Sequence, residues 1–427
     1  MNTRTGHLTI AALLLWMPLS GQEVPPPLEI PAPPELRDYH GKFQGVVVHR
    51  LDVEPQATLL MESLRGDVVL LGTDAHSIVI EEKITVKSRE RDWAHEMIEE
   101  AHGTLSPPAD PREPFIFSVP RLSGRDVWFE YKVRVPKTFN VLIKSYGGDI
   151  DMTDIQGDLE AKTGGGDIAL SNSAGRIIVK TGGGDIDVFK VDGQVELYTG
   201  GGDIEGRAVQ GKWDIGTGGG DINFWKGNGS FIINTGGGDI DLRGLEGTEI
   251  DARTGGGEIQ ASEISATINF MTSGGDICAE VVEGSFEAAS GGGDLCLEQL
   301  RGDAILYTGS GDVEICNVTG SLKVRSGSGD IDVCDMTLES PGTDESTFFT
   351  SDGDVSVSYR TNKPVAIQAK IVRYSPRYGI EHIHGNVDFV YRKENGGTLG
   401  VVEEEQPFHR IIIETQEGEI TIMKGEQ

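Results

Sequence analysis

Apolar and polar residues alternate along the middle of the chain in a pattern that returns every 18 residues. An aliphatic residue follows an acidic residue in each repeat, as in Asp167-Ile168 and Asp185-Ile186, and another apolar residue often comes two positions later. A second alternating segment then leads to Thr-Gly-Gly-Gly, which precedes the next acid. Alternation with a period of two indicates strands with one buried face. Each repeat therefore predicts two strands separated by turns.

The acidic residues mark the repeats, with one interval of 19 near Thr248 and one of 24 before the last copy. A single repeat cannot bury its apolar face, whereas stacked repeats can. We therefore predict an all-β fold, a parallel β-solenoid of about eleven to twelve 18-residue coils. A β-sandwich of hairpins is the alternative, but hairpins do not readily keep such a strict interval. Further copies at Asp67 and Glu419 lie outside the regular array. The array consists of Asp149, Asp167, Asp185, Asp203, Asp221, Asp239, Glu258, Asp276, Asp294, Asp312, Asp330 and Asp354.

Glycine, at 59 of 427 residues, occupies two columns of the repeat, one just before the acid and one eight residues after it. We expect these columns to supply positive φ angles at the corners, where a Cβ atom would clash. A threonine or serine precedes the glycine triplet in most repeats. The parity of the alternation points this side chain inward, which predicts a ladder of hydroxyl groups that satisfies the corner backbone.

The flanking segments predict strand-rich caps, which a solenoid needs because open strand edges invite aggregation. Residues 38–144 form the predicted N-terminal cap, with strands and one short helix at 90–102 whose packed face would carry Trp93, Met97 and Ala101. The solenoid is predicted for residues 145–360, and residues 361–427 form a C-terminal β extension. Its strands are expected at Val365–Ile371, Val387–Tyr391, Ile411–Glu414 and Ile420–Met423.

The N-terminus has the features of a secretory signal at residues 1–22. Arg4 provides the positive region, and the apolar stretch from Leu8 to Leu19 is too short to span a hydrocarbon core of about 30 Å. Gln22 stands where a lipidated cysteine would be required, so no lipid anchor is expected. A proline-rich linker follows at residues 23–37. The prediction is an exported protein, in the periplasm, on the cell surface or secreted, whose mature chain does not insert into a membrane.

The formal net charge of −31 disfavours two classes of partner. Nucleic acids and anionic membrane surfaces both require a basic footprint, and this chain is strongly acidic. The predicted partner is a surface ligand, either a protein or a glycan, and no cofactor is expected.

Four cysteines fall into two pairs with the spacing of the repeat. Cys278 and Cys296 both come two residues after the acid, and Cys316 and Cys334 both come four residues after it. Neighbouring coils would place each pair about 4.8 Å apart, within the Cα–Cα range of disulfides. We predict the disulfides Cys278–Cys296 and Cys316–Cys334. A zinc site is not expected, because the pairs lie in different columns without a histidine.

The acid column points outward beside the corner, where stacked carboxylates would repel each other unless compensated. The favoured interpretation is that each aspartate accepts hydrogen bonds from N–H groups of the turn. The alternative is a calcium column, most simply at Asp167, Asp185, Asp203, Asp221 and Asp239. That alternative matches poorly, because calcium-binding solenoids carry their motif twice in 18 residues with a spacer before the aspartate. His382 and His384 share one strand face, but two ligands do not define a metal site, so they are interpreted as surface residues.

These features resemble the bacterial putative-adhesin family of Gly-Asp-rich β-strand-repeat proteins, a family of unknown function. The resemblance rests on Leu64-Arg65-Gly66-Asp67-Val68-Val69, on Tyr131 to Pro136, on Val141 to Ile150 and on the later Gly-Asp-Ile repeats. It covers residues from about 40 to 427 and implies an exported β-solenoid. It implies no catalytic residues.

The sequence thus predicts an exported, non-enzymatic repeat protein, an adhesin or envelope scaffold that binds multivalently through one solenoid face. No P-loop, nucleophile motif or Ser-His-Asp pattern is present. A purely structural periplasmic scaffold, a polysaccharide-acting β-helix enzyme and a calcium-binding solenoid are the alternatives. An enzyme would break the coil pattern at one place, and the only large interruption lies between Asp330 and Asp354.

Overall fold

A computed structural model describes residues 36–38, 42–121, 126–338, 345–372, 382–394 and 397–425. The predicted signal peptide and nearly all of the proline-rich linker lie outside the described residues. All 34 described strands belong to one hydrogen-bonded network, and one helix packs beside it.

The N-terminal part forms two short sheets that continue directly into the solenoid. One sheet has the order β10–β4–β8–β5–β2–β1 and the other has the order β11–β9–β3–β7–β6. The pairs that β5 forms with β8 and with β2 are antiparallel, so antiparallel strands close this end. The elements are β1 (Arg37–Asp38), β2 (Lys42–Asp52), β3 (Thr58–Leu64), β4 (Asp67–Thr73), β5 (Ser77–Lys87), α1 (Arg91–Ala101), β6 (Thr104–Ser106), β7 (Phe115–Ser118), β8 (Val127–Pro136), β9 (Asn140–Ser145), β10 (Ile150–Thr153) and β11 (Leu159–Thr163).

The repeats stack as parallel strands in register, each residue opposite the one 18 positions later. Ile168 pairs with Ile186, and Thr181 pairs with Thr199. The extra residue near Thr248 shifts this register beyond Gly229. The parallel β-solenoid predicted from the repeat is thus confirmed. Its strands are β12 (Ile168–Thr181), β13 (Ile186–Thr199), β14 (Ile204–Thr217), β15 (Ile222–Thr235), β16 (Ile240–Thr254), β17 (Ile259–Ser262), β18 (Ile264–Thr272), β19 (Ile277–Glu283), β20 (Phe286–Ser290), β21 (Leu295–Arg301), β22 (Ala304–Thr308), β23 (Val313–Ile315), β24 (Val318–Thr319), β25 (Leu322–Ser326), β26 (Ile331–Thr337), β27 (Glu345–Asp352) and β28 (Val355–Arg360).

The two glycine columns differ in backbone conformation, contrary to the single explanation expected from the sequence. Eight residues after the acid, most glycines have positive φ, +136° at Gly175 and +139° at Gly193, although Gly157 and Gly247 do not. The complete glycine triplets, such as Gly200 to Gly202, do not have positive φ, whereas the glycine before the acid does in the end copies, with +100° at Gly148. In the complete triplets, a Cβ on Gly202 would lie 2.2 Å from the carbonyl oxygen of Gly184 in the preceding coil, which explains the need for glycine.

One continuous apolar column fills the solenoid, and a glycine makes room for one of its largest rings. Trp213, Phe224 and Phe231 are fully buried and contact one another. Gly206 stands at an inward position, where a Cβ would lie 2.1 Å from the ring of Phe224. The large ring of Phe224 therefore fills the space that the absent side chain of Gly206 leaves in the neighbouring coil.

The C-terminal end repeats the N-terminal plan. The described strands follow the orders β26–β28–β34–β30 and β25–β27–β33–β29–β32–β31, in which the last two pairings are antiparallel. The elements are β29 (Val365–Ile371), β30 (Ile383–Gly385), β31 (Val390–Glu394), β32 (Gly397–Val402), β33 (His409–Glu417) and β34 (Ile420–Lys424).

At both ends, a segment near the terminus of the chain forms the second-to-last coil. The coil of β3 and β4 lies between the β7–β8 coil and the β9–β10 coil. The coil of β33 and β34 likewise lies between the β27–β28 coil and the β29–β30 coil. The two acids that lie outside the regular array, Asp67 and Glu419, are thereby stacked into it. The domain boundaries at 145 and 360 remain predictions.

Two local predictions are wrong in detail. The buried face of α1 consists of Ala94, Ile98 and Ala101, and the predicted Trp93 is 42 % exposed. The helix packs through this face against β2 and β5, and Trp93 lies about 100° around the helix from Ala94, on the side that faces solvent. The strand predicted at 387–391 begins at Val390, and β32 was not predicted because its glycines interrupt the alternation.

Candidate ligand-binding face

The outward side chains of the solenoid form two long faces. Face A consists of the residues two and four positions after each corner acid, such as Asp187 and Phe189. Face B consists of the outward residues of the strand that precedes the glycine triplet, such as Glu196 and Tyr198. In-register stacking turns each of these positions into a column that runs along the solenoid.

The corner acids between these faces form a hydrogen-bonded ladder. The Oδ1 atom of Asp167 accepts a hydrogen bond of 2.8 Å from the main-chain N–H of Asp185, and Asp185 accepts one from Asp203 in the same way. Among the described residues, the ladder runs from Asp67 to Glu258 and again from Asp276 to Glu419, whose N–H donates to Asp354. Hydrogen bonds to a charged acceptor are stronger than neutral ones. They offset the repulsion between stacked carboxylates.

The threonine column lies inside the corner and binds two coils at once. Thr217 is buried and donates from Oγ1 to the carbonyl oxygen of Gly202 at 2.8 Å, while Gly220 donates its N–H to the same hydroxyl at 3.2 Å. Ser290 and Ser326 make equivalent contacts. The predicted hydroxyl ladder is confirmed.

Both predicted cysteine pairs are joined in the structure, and they lie on face A. The Cα–Cα distances are 4.6 Å for Cys278–Cys296 and 5.0 Å for Cys316–Cys334. These distances also measure the separation of neighbouring coils. Disulfides persist in oxidising compartments, so the bonds indicate an extracytoplasmic protein.

An aromatic patch interrupts the polar surface of face A. Phe189, Arg207 and Trp225 follow one another in the same column on three successive coils. The guanidinium carbon of Arg207 lies 5.5 Å from the Trp225 ring centre, and Phe189 is 39 % exposed. The patch borders a depression of about 280 Å³ whose floor includes Ala169 and Gly206. Small side chains on one side and large rings on the other create this depression.

Acceptor groups accompany the patch in the neighbouring column of face A. Asp187, Glu205, Asn223, Asp241 and Gln260 stand two residues after successive corner acids. Partial burial and the neighbouring carboxylates of Asp185 and Asp167 raise the pKa of Asp187 above its usual value. A bound hydroxyl or cationic group that donates to Asp187 would relieve this cost.

Face B carries aromatic residues that are more dispersed. Tyr307 is 44 % exposed, and the ring of Tyr198 lies 4.9 Å from the Lys180 ammonium. Burial and the adjacent Asp214 raise the pKa of Tyr198 well above its usual value.

A larger depression of about 640 Å³ lies farther along, between β29, β32 and β33, and its rim includes three consecutive glutamates at 403–405. The aromatic rings of face A distinguish it from this acidic groove.

The sequence analysis did not identify the aromatic patch. The signal was present, because Phe189 and Trp225 occupy the same outward position two repeats apart. A search for aromatic residues at outward parity would have found it.

Together, the stacked coils, the corner ladders and the exposed columns define a parallel β-solenoid repeat protein. Residues 267–423 match the family model of Toastrack DUF4097. The resemblance seen in the sequence is thereby confirmed for this segment, which includes the C-terminal end of the solenoid but not the aromatic patch. No curated protein matches the chain.

Three solved structures align with low similarity. A "putative cell adhesion protein" from Clostridium sporogenes is 8 % identical, with coverage of 88 % of this chain and 99 % of that one and a TM-score of 0.17. A "putative adhesin" from Parabacteroides merdae is 12 % identical, with coverage of 69 % and 96 % and a TM-score of 0.25. Another "putative adhesin", from Bacteroides fragilis, is 7 % identical, with coverage of 89 % and 97 % and a TM-score of 0.17. The fold assignment therefore rests on the strand pairing described above. Within the described residues, no helix is long and apolar enough to cross a membrane.

Proposed function

We propose that the protein is an exported, non-enzymatic, adhesin-like module that holds a surface ligand on face A. The observation that carries this proposal is the aromatic patch of Phe189, Arg207 and Trp225 beside a column of hydrogen-bond acceptors. Aromatic rings give a rigid apolar contact surface, and a few placed polar groups fix the orientation of a ligand.

The negative charge of the chain disfavours anionic ligands. A net charge of −31 repels anionic polymers, and the carboxylates of Asp187 and Glu205 stand beside the rings. Hydroxyl groups and cations can donate to these oxygens, and the apolar face of a sugar ring can stack on Phe189 or Trp225. The combination favours a neutral or cationic glycan over an acidic polymer.

The register of the coils supports multivalent binding. Each of the five successive coils from Asp187 to Gln260 adds one acceptor to the column. The spacing is 4.6–5.0 Å, the distance between the joined cysteines of neighbouring coils. A polymer that lies along face A could contact several coils in succession. Weak contacts of this kind add to a higher avidity without any new type of interaction.

Export is supported by the predicted signal at residues 1–22 and by the two disulfides. Protease treatment of intact native cells, followed by mass spectrometry, tests the location of the protein. Release of its peptides while periplasmic controls stay protected would support surface display. Release only after the envelope is broken would favour the purely structural periplasmic scaffold.

The ligand proposal is tested by binding the purified protein to immobilised neutral, cationic and anionic glycans, each as a short fragment and as a long polymer. We expect the neutral or cationic polymer to bind better than its fragment. Trp225→Ala or Phe189→Ala should weaken that binding about tenfold, the order of one lost aromatic contact. The matched control is Tyr307→Ala on face B, which should leave binding unchanged. Equal losses in all three variants, or a preference for anionic glycans, would contradict the proposal.

A further inference from the structure

Two histidines stand beside the last acid of the corner column at the C-terminal end. Strand β30 pairs with β34 so that Ile383 lies opposite Ile420 and His384 lies opposite Thr421. His382 therefore takes the next place in the column after Glu419. The column of carboxylates thus ends in an imidazole, and a second imidazole follows on face A.

The side chains of His382, His384 and Glu419 lie close together. His382 Nδ1 lies 3.0 Å from Glu419 Oε1, and one ligand atom from each of His382, His384 and Glu419 lies within 4.8 Å of the others. The imidazole ring centres are 6.5 Å apart. A tetrahedral cation with ligands at about 2.0–2.2 Å needs donor atoms about 3.4 Å apart. Small rotations can supply the difference, because His384 and Glu419 are exposed and His382 is only half-buried.

We propose that His382, His384 and Glu419 form a binding site for Zn²⁺ or a similar divalent first-row cation. Imidazole nitrogen and carboxylate oxygen are donors that such cations accept, and three protein ligands leave a position for water or for a group of another molecule. Calcium prefers six to eight oxygen ligands and is a poor match for this donor set. The site therefore differs in chemistry from the calcium column considered for the corner aspartates.

A cation at this site would join the last coil of the solenoid to the coil before it. His384 lies in β30 and His382 immediately precedes it, whereas Glu419 immediately precedes β34, so the bound cation would connect the two strands. Binding that is specific to the folded state stabilises it. Hydrogen exchange of the main chain around β30 should therefore slow when the cation is bound.

The test uses the untagged full-length protein, because a histidine tag would bind the same cations. Zn²⁺ alone is titrated calorimetrically, and Co²⁺ alone is followed by its visible absorption in the presence and absence of excess Ca²⁺. We expect one high-affinity site, Co²⁺ bands that Ca²⁺ does not abolish, and slower hydrogen exchange around residues 383–385. His384→Ala and Glu419→Gln should each weaken binding at least tenfold. Neither side chain is buried, and circular dichroism checks that the variants fold.

The matched control is His95→Ala, which removes an exposed histidine that lies 3.5 Å from Glu99 on α1. This variant should bind Zn²⁺ as the wild type does. The proposal is overturned if the wild type binds no Zn²⁺ at micromolar concentration, if His384→Ala binds normally, or if Ca²⁺ displaces Co²⁺ from the site.

Discussion

Single atoms at the corners decide which residues the repeat accepts. A Cβ on Gly202 would lie 2.2 Å from the carbonyl oxygen of Gly184, whereas a Cβ on Gly201 would have no neighbour within 4 Å. The middle of the triplet is thus open, and Ser310 and Ser328 occupy that place in later coils. A Cβ on Gly202, by contrast, would meet main-chain atoms, which cannot move aside as a flexible side chain could.

Gly202→Ala should lower the free energy of unfolding by about 2 kcal/mol, because the new methyl group forces two coils apart. Gly201→Ala should be neutral or slightly stabilising, because it restricts the unfolded chain without meeting a neighbour. Urea unfolding followed by circular dichroism measures both. A similar loss in the two variants would contradict the steric explanation.

Thr217→Val keeps the shape of the side chain but removes the hydroxyl that contacts Gly202 and Gly220. The buried carbonyl and N–H groups would lose a partner, so we expect a cost of about 2 kcal/mol. Thr217→Ser is the matched control and should cost much less, since serine makes the same contacts at Ser290 and Ser326. Equal stability of the valine variant and the wild type in urea would count against the ladder.

Asp187 gives a pH-dependent prediction. Because burial raises its pKa in the folded state, the unfolded chain releases this proton at a lower pH. This residue's contribution to stability therefore falls as the pH rises from about 3.9 through the folded-state pKa, and it stays lower above that window. Asp187→Asn should raise the melting temperature at pH 7, and the gain should shrink towards pH 3. An unchanged or lower melting temperature at pH 7 would refute the prediction.

At the level of elements, the disulfides fasten coils that the core already holds in register. Each bond closes a segment of 18 residues, which corresponds to about 3 kcal/mol in the chain-entropy description. Reduction should lower the urea midpoint while the circular dichroism spectrum in water stays unchanged. A variant with all four cysteines replaced by serine should not respond to reductant. Loss of strand structure on reduction in water would show that the bonds are required for the fold.

The repeated elements were predictable because each of their residues has an equivalent every 18 positions. The strands, the inward threonines and the neighbouring cysteines all follow from that interval. The ends were less predictable, because their pairing joins residues far apart in the sequence, as in Val68 with Ile150 and Val355 with Ile420. Glu419 could not be linked to His382 for the same reason, so the sequence showed only two of the three candidate ligands.

For the whole molecule, the β33–β34 coil follows the β29–β30 coil in the sequence but lies before it in the stack. This order leads to a prediction about cleavage of the chain. Strands β33 and β34 each have a parallel partner on both sides. We therefore expect that a protease site inserted in the exposed segment 403–406 can be cut without release of residues 407–427. The two pieces should co-elute in size-exclusion chromatography in buffer and separate in 6 M guanidinium chloride. Separation in buffer alone would contradict the prediction.

The enclosed position of β34 also determines how the molecule would respond to force. Tension applied at Lys424 first loads a strand that is hydrogen-bonded to β28 on one side and to β30 on the other. A strand at an open edge can be peeled away one hydrogen bond at a time, but this strand has no open edge. Extension from this strand must break hydrogen bonds to both neighbours, so β34 keeps the last coils of the solenoid together under load.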